Sequence, residues 1–139
     1  MDIKELFVKI MENGTDMALA TSVDNIPNVR LLNYIYKKDE RIMYFQSFKG
    51  SSKEIEFSKN NNVAFTTIPT DGVSYIRTNK AIVKKSDKTI FNLQNLFIEK
   101  MPYYKNIIEH NGNSMIIYEV LYDIVEVWPN PDKFELLEL

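Results

Sequence analysis

Three short runs occupy the first third of the chain: MALATSV (17–23), NVRLLNYIY (28–36) and IMYFQSF (42–48). Only the turn text DNIP and KKDER separates them. The first run alternates larger side chains (Met17, Leu19, Val23) with small ones (Ala18, Ala20, Ser22), the period of a strand with two unlike faces. Strands this short with connections this tight predict hairpins and therefore antiparallel pairing. A doubly wound sheet, which needs a helix between successive strands, is excluded for this region.

The rest of the chain extends the pattern. Ile3, Leu6, Phe7, Ile10 and Met11 recur at helical spacing and Asn13-Gly14 supplies a stop, so residues 2–12 read as an amphipathic helix. A helix over 51–59 leads to the run NNVAFTTI, and PTDG precedes the long β run VSYIRTNKAIVKKS. Helices are expected around KTIFNLQNLFIEK and over PYYKNIIEH; SMIIYEVLYDIVEVWP reads as one bent or two adjacent strands, and KFELLEL as a last edge strand. The order predicts a mainly β fold, an antiparallel barrel with peripheral helices.

Composition limits the function. At 139 residues with 45% hydrophobic content, one domain spanning 1–139 is expected. The 17 basic and 19 acidic residues are scattered, so no footprint for nucleic acid stands out. Cysteine is absent and His110 is the single histidine, which leaves no ligand set for a structural zinc. The N-terminal text lacks the apolar run of a secretion signal, and no run is long enough to span a membrane, so a cytoplasmic protein is expected. In that setting Asn13-Gly14-Thr15, which fits a glycosylation sequon, reads as a turn.

The stretch FQSFKGSSKEIEF (45–57) passes from strand to helix through glycine, hydroxyls and lysines. Two compatible readings exist. Ser51 with Glu54 three residues on is the pattern of a capping box. The same residues could cradle an anion: the helix start offers unpaired N–H groups and the positive end of the macrodipole, Gly50 allows close backbone approach, Ser51 or Ser52 adds a hydroxyl, and Lys53 a charge. Arg30 must be exposed, paired with a carboxylate or bound to a ligand anion, because an unpaired guanidinium inside a barrel is costly.

In order and spacing, the text from Met17 to the strand after SKNNNV resembles the core of the pyridoxamine 5'-phosphate oxidase-like, FMN-binding split-barrel family. The carriers are a strand with small residues, a turn with Pro, an Arg-bearing strand, a hairpin, and a strand ending in Ser before a Ser/Lys helix start. VSYIRTNKAIVKK and VEVWPNPDKFELLEL fit short members related to nitroimidazole-resistance proteins. The resemblance implies an antiparallel split barrel, FMN as cofactor, and a homodimer with cofactor sites at the subunit interface. It places Ser52 and Lys53 at the FMN phosphate, Arg30 at the ribityl-phosphate part, Leu32 and Asn33 beneath the flavin edge, and Phe45, Gln46 and Ser47 against the pyrimidine or ribityl chain. Trp128 corresponds to a tryptophan that reaches the flavin across the interface. Read as residues alone, Phe45 fits core packing equally well, and a lone strand tryptophan such as Trp128 is usually core or interface. His110 reads as an exposed helix-end residue, and Tyr103, Tyr104, Tyr118 and Tyr122 as pocket lining for a flat substrate or as interface packing.

Two departures bear on activity. Ile35 stands where pyridoxamine phosphate oxidases carry the lysine that closes the Arg-x-Val-x-x-Lys stretch, and KFELLEL holds no arginine for a substrate phosphate. Authentic pyridoxine chemistry is therefore not expected. The implied function is an FMN-dependent oxidoreductase with an unassigned small-molecule substrate; the alternative is a non-catalytic binder of flavin, haem or another planar ligand. No catalytic residue and no metal site is assigned.

Overall fold

The computed structural model describes residues 1–139. Asp24 and Asn25 both take left-handed backbone conformations, φ 53° and 64°, as a two-residue hairpin turn matched to strand twist requires. They fold β1 (Asp16–Val23) onto β2 (Ile26–Asn33) in unbroken register from Asp16–Asn33 to Val23–Ile26. The run NVRLLNYIY is two strands, not one. Tyr34 is fully buried, its N–H donates to the Thr15 carbonyl and its hydroxyl to the Met11 carbonyl at 3.0 Å. That anchor turns the chain from pairing with β1 to pairing, through β3 (Ile35–Lys37), with β4 (Ile42–Phe48).

The remaining strands are β5 (Asn62–Thr67), β6 (Tyr75–Lys85), β7 (Met115–Tyr122), β8 (Ile124–Asn130) and β9 (Lys133–Glu138). The sheet order is β2-β1-β5-β6-β7-β4-β3, with β8 on β6 and β9 on β8. Every pairing is antiparallel. One end of β6 (Ala81–Lys85) pairs with β7 and the other (Tyr75–Arg77) with β8, so this strand serves two branches of a sheet that curls into a half-barrel. The C-terminal text resolves into two strands separated at Asp123, followed by an edge strand.

Alternation along β4 divides the core. Met43 and Phe45 face the interior of the curl, where they meet Met17 and Leu19 from β1 and Phe7 and Met11 from α1 (Ile3–Asn13). Tyr44 faces the other way, into a second core with Ile35 and Ile117, closed by α3 (Ile90–Lys100) and α4 (Tyr104–Asn111) through Leu93, Phe97 and Ile108. Helix α1 starts at Asp2, whose carboxylate accepts the Glu5 N–H at 2.8 Å. Helix α3 starts in a capping box formed by Thr89 and Asn92.

Two strand edges are left without partners on facing sides. Strand β2 pairs only with β1, and β4 beyond Tyr44 has β7 on one side and nothing on the other, because β3 ends there. The two edges approach each other across this split. On the outward face of the sheet, Leu31, Ala18, Thr66, Arg77, Glu126 and Leu136 form one cross-strand row. Within that face Val29, Leu31 and Leu136 are 65%, 72% and 62% exposed.

Candidate functional site

The helix after β4, α2 (Ser52–Lys59), is docked by Phe57, which packs into the interior against Phe45 and Tyr118, with ring centroids 6.1 and 5.0 Å away. Gly50 enters it at φ +80°, a conformation most side chains resist. The expected capping box does not form. The Ser51 hydroxyl makes no bond to the helix and instead shares a 2.8 Å hydrogen bond with Ser47, while the Glu54 carboxylate accepts from the Gly50 N–H at 2.8 Å. Ser47 points inward from the end of β4 and captures the hydroxyl that would otherwise cap. The amides of Ser52 and Lys53 accordingly have no acceptor in the chain.

Ser52, Lys53 and Glu56 share one face of α2, and that face looks at Arg30 on β2. Arg30 is ion-paired with Glu56, and its Nη2 lies 3.5 Å from the Ser52 hydroxyl. Thr21, buried on β1, donates to the Glu56 carboxylate at 2.8 Å. Arg30 and Glu56 are 17% and 18% exposed. Burial works to raise the Glu56 pKa, but hydrogen bonds from Arg30 and Thr21 outweigh it and hold the carboxyl below its ordinary range. Lys53 is half-buried; burial first and the Arg30 charge second lower its ammonium pKa, against a smaller opposing pull from Glu56. Two cations, one carboxylate and an uncapped helix start thus converge at one end of the split.

Asn33 and Gln46 lie elsewhere, beside α4. Asn33 donates to Asp16 at 2.6 Å, and its carbonyl oxygen accepts from the hydroxyls of Tyr103 and Tyr104 at 3.2 and 3.0 Å. Gln46 adjoins Tyr104, and its Oε1 is buried with no donor. A buried acceptor left without a partner in the chain is uncommon.

The other sequence-predicted residues separate. Phe45 is wholly buried and stacks on Tyr118 at 5.4 Å, and Leu32 packs against the same core; only their backbones border the split. Trp128 sits on the outward face, stacked between Tyr75 and Phe134 at 5.4 and 4.8 Å, its Nε1 donating to Glu126 at 2.9 Å. His110 is exposed, one ring nitrogen 2.8 Å from the Asn106 carbonyl. Ile35 is core. Thr21 and Glu56 escaped the sequence reading. Glu56 carried a signal, lying three and four residues after Lys53 and Ser52; Thr21 carried none beyond its place in the alternation of β1. A cleft of about 480 Å³ lies along α2 between Glu54, Asn60, Lys85 and Tyr118, and does not include Arg30 or Lys53.

The curled half-barrel sheet with a few peripheral helices is the pyridoxamine 5'-phosphate oxidase-like fold. The sequence profile described as pyridoxamine 5'-phosphate oxidase-like matches residues 10–129, and the chain belongs to that family. Comparison with curated proteins yields no match. Among solved structures, the chain is similar to general stress protein 26 from Bacillus anthracis, with a TM-score of 0.75 at 16% identity over 100% of both chains. A FAD-binding protein from Mesorhizobium loti gives 0.65 at 16% identity over 92% of this chain and 93% of that one. A heme binding protein from Mycobacterium smegmatis gives 0.76 at 8% identity over 99% of this chain and 58% of that one. No helix is long and apolar enough to cross a membrane, and no group of three or more His, Asp or Glu side chains gathers to hold a metal ion.

The Arg30–Glu56 pair yields a prediction with two opposite signs. Glu56→Gln leaves Arg30 and Lys53 without their carboxylate, which lowers the stability of the ligand-free protein by about 1–3 kcal/mol for a pair still reached by water. It also removes the internal competitor for both cations, so inorganic phosphate or FMN binds more tightly. Urea melts and phosphate titrations of the two proteins measure both effects; weaker anion binding in a folded Glu56→Gln protein refutes the arrangement.

Proposed function

We propose that this chain binds FMN in the split between β2 and β4 and uses it for redox chemistry on a small molecule. The observation that carries the reading is the cradle: Arg30, Ser52 and Lys53 gathered at a helix start whose first amides are free. A phosphate monoester fits it by charge and by hydrogen-bond type. The unpaired edges of β2 and β4 offer backbone groups on both sides of a flat ring. Bound there, FMN would supply electron or hydride transfer. Within the chain, Arg30 and Lys53 hold the phosphate, Ser47 and Ser51 fix the strand-to-helix corner, and Tyr103 and Tyr104 keep Asn33 oriented at the far end. Phe45 and Leu32 exclude water from beneath. Ile35 in the core and the arginine-free C-terminus argue against a pyridoxamine phosphate oxidase proper.

A homodimer completes the proposal. The outward face presents Val29, Leu31 and Leu136 around small residues (Ala18, Ala20, Ala64), a surface suited to a second copy, and Trp128 lies on that face. The absorption spectrum of freshly purified protein is the test. Flavin bands, or their appearance on adding FMN, support the reading; a protein that takes up no FMN overturns it. A second reading, a non-catalytic binder of haem or another planar ligand, is favoured by the absence of an acid–base pair in the split and predicts a Soret band instead. Sedimentation as a single 16.3 kDa species at micromolar concentration would remove the shared interface.

A further inference from the structure

The cleft along α2 that excludes Arg30 and Lys53 is walled by β6 and β7 as well as by the helix, through Val83, Lys85 and Tyr118. Sheet register sets its floor. Phe45 on β4, Tyr118 on β7 and Lys85 on β6 stand directly opposite one another across neighbouring strands, so the three share the inward face. Tyr118 is only 3% exposed, its ring packed on Phe45 and Phe57. Its hydroxyl has no partner in the chain and is not sealed in the core, which leaves the cleft as its outlet. Burial raises the pKa of that hydroxyl and the Glu54 carboxylate raises it further, so at neutral pH it is a protonated donor near Glu54.

Glu54 and Lys85 line both this cleft and the adjoining one that reaches Gly50 and Ile116. They carry opposite charges yet form no ion pair, although four such pairs form elsewhere in the chain. The Glu54 carboxylate spends one oxygen on the Gly50 N–H and keeps the other. A buried hydroxyl donor thus opens between a cation and an anion that do not neutralise each other.

We propose that this cleft binds a small zwitterion of the α-amino acid type with an apolar side chain. The ligand carboxylate meets Lys85 and accepts from the Tyr118 hydroxyl, and its ammonium meets Glu54. Phe57 and Val83, which line the same cleft, take the apolar body. Singly charged ligands fit less well. Lys59 and Lys49 add positive charge that repels an amine, whereas an acid without an ammonium lies against an unbalanced Glu54. The cleft, about 480 Å³, holds roughly fifteen non-hydrogen atoms at the volume a liquid allots each, which is enough for an aromatic amino acid.

The site is independent of the flavin reading and is tested on the full chain without added FMN. L-Phenylalanine is titrated into isotope-labelled protein and followed by amide chemical shifts, beside phenylpropionate, which lacks the ammonium, and phenethylamine, which lacks the carboxylate. Phenylalanine should shift the amides of Glu54, Asn61 and Lys85 saturably, and each analogue should bind about ten-fold or more weakly. Lys85→Met and Glu54→Gln should each weaken phenylalanine by a similar factor; the glutamine keeps an oxygen for the Gly50 N–H. Tyr118→Phe preserves the packed ring and should also cost about ten-fold or more, the worth of a hydrogen bond to a charged group. Thermal melts check that each variant is folded, and the comparison of the three ligands needs no variant. No saturable shift at this cleft up to about 10 mM phenylalanine, an analogue that binds as tightly as phenylalanine, or unchanged binding in folded Lys85→Met each overturns the proposal. FMN uptake is read separately from the flavin bands and should be unaltered in Lys85→Met, so either reading can fail alone.

Discussion

On the proposed binding mode, Lys53→Ala should lower the affinity for FMN roughly thirty-fold to several thousand-fold, equivalent to about 2–5 kcal/mol, while the protein stays folded. The magnitude follows from the surroundings of the ammonium. Lys53 is half-buried, its charge is already disfavoured by burial and by Arg30, and Arg30 has Glu56 as an internal partner. Lys53 is thus the cation of the cradle best placed to be neutralised by an incoming phosphate. Ser51→Ala gives the contrast: its hydroxyl does not cap α2 but partners the buried Ser47 hydroxyl, so apo stability should fall by about 1–3 kcal/mol with little change in FMN affinity. Flavin fluorescence titration of both variants, with thermal melts of the apo forms, separates the two roles. Unchanged FMN affinity in a folded Lys53→Ala protein refutes the cradle.

Phe45→Ala produces the largest loss of stability, about 3–5 kcal/mol. The ring is inaccessible to solvent, lies against Tyr118 and Phe57, and sits where β4 hands over to the α2 corner. Its removal opens a void beneath the cradle, so urea denaturation should show a lower midpoint with an unchanged slope. A ring acting as a cofactor contact would instead leave the midpoint in place and shift only FMN binding.

Hairpins and helices were legible in the sequence because their signals are local: DNIP between alternating runs, Asn13-Gly14 after a helical stripe, a strand passing through Gly50 into a helix. Arg30 with Ser52 and Lys53 was legible through the family resemblance, and the chain does bring these three together. What could not be read is whatever depends on facing. Phe45, Gln46 and Ser47 are consecutive, yet the pleat sends the middle one toward α4 and the other two inward. The capping box failed for a similar reason: its pattern was present, but Ser47, four residues earlier, offered Ser51 a closer partner in space. The break at Tyr34 was hidden because it is caused by a hydrogen bond to Met11, twenty-three residues away.

The facing free edges of β2 and β4 also bear on how the chain behaves in solution. An unpaired strand edge is a template for another strand; β2 carries no lysine and holds its one proline at the second position, Arg30 is turned toward α2, and Val29 and Leu31 are exposed. If a ligand fills the split as proposed, protein made faster than that ligand is supplied carries an adhesive seam, and its solubility on overproduction should track the supply.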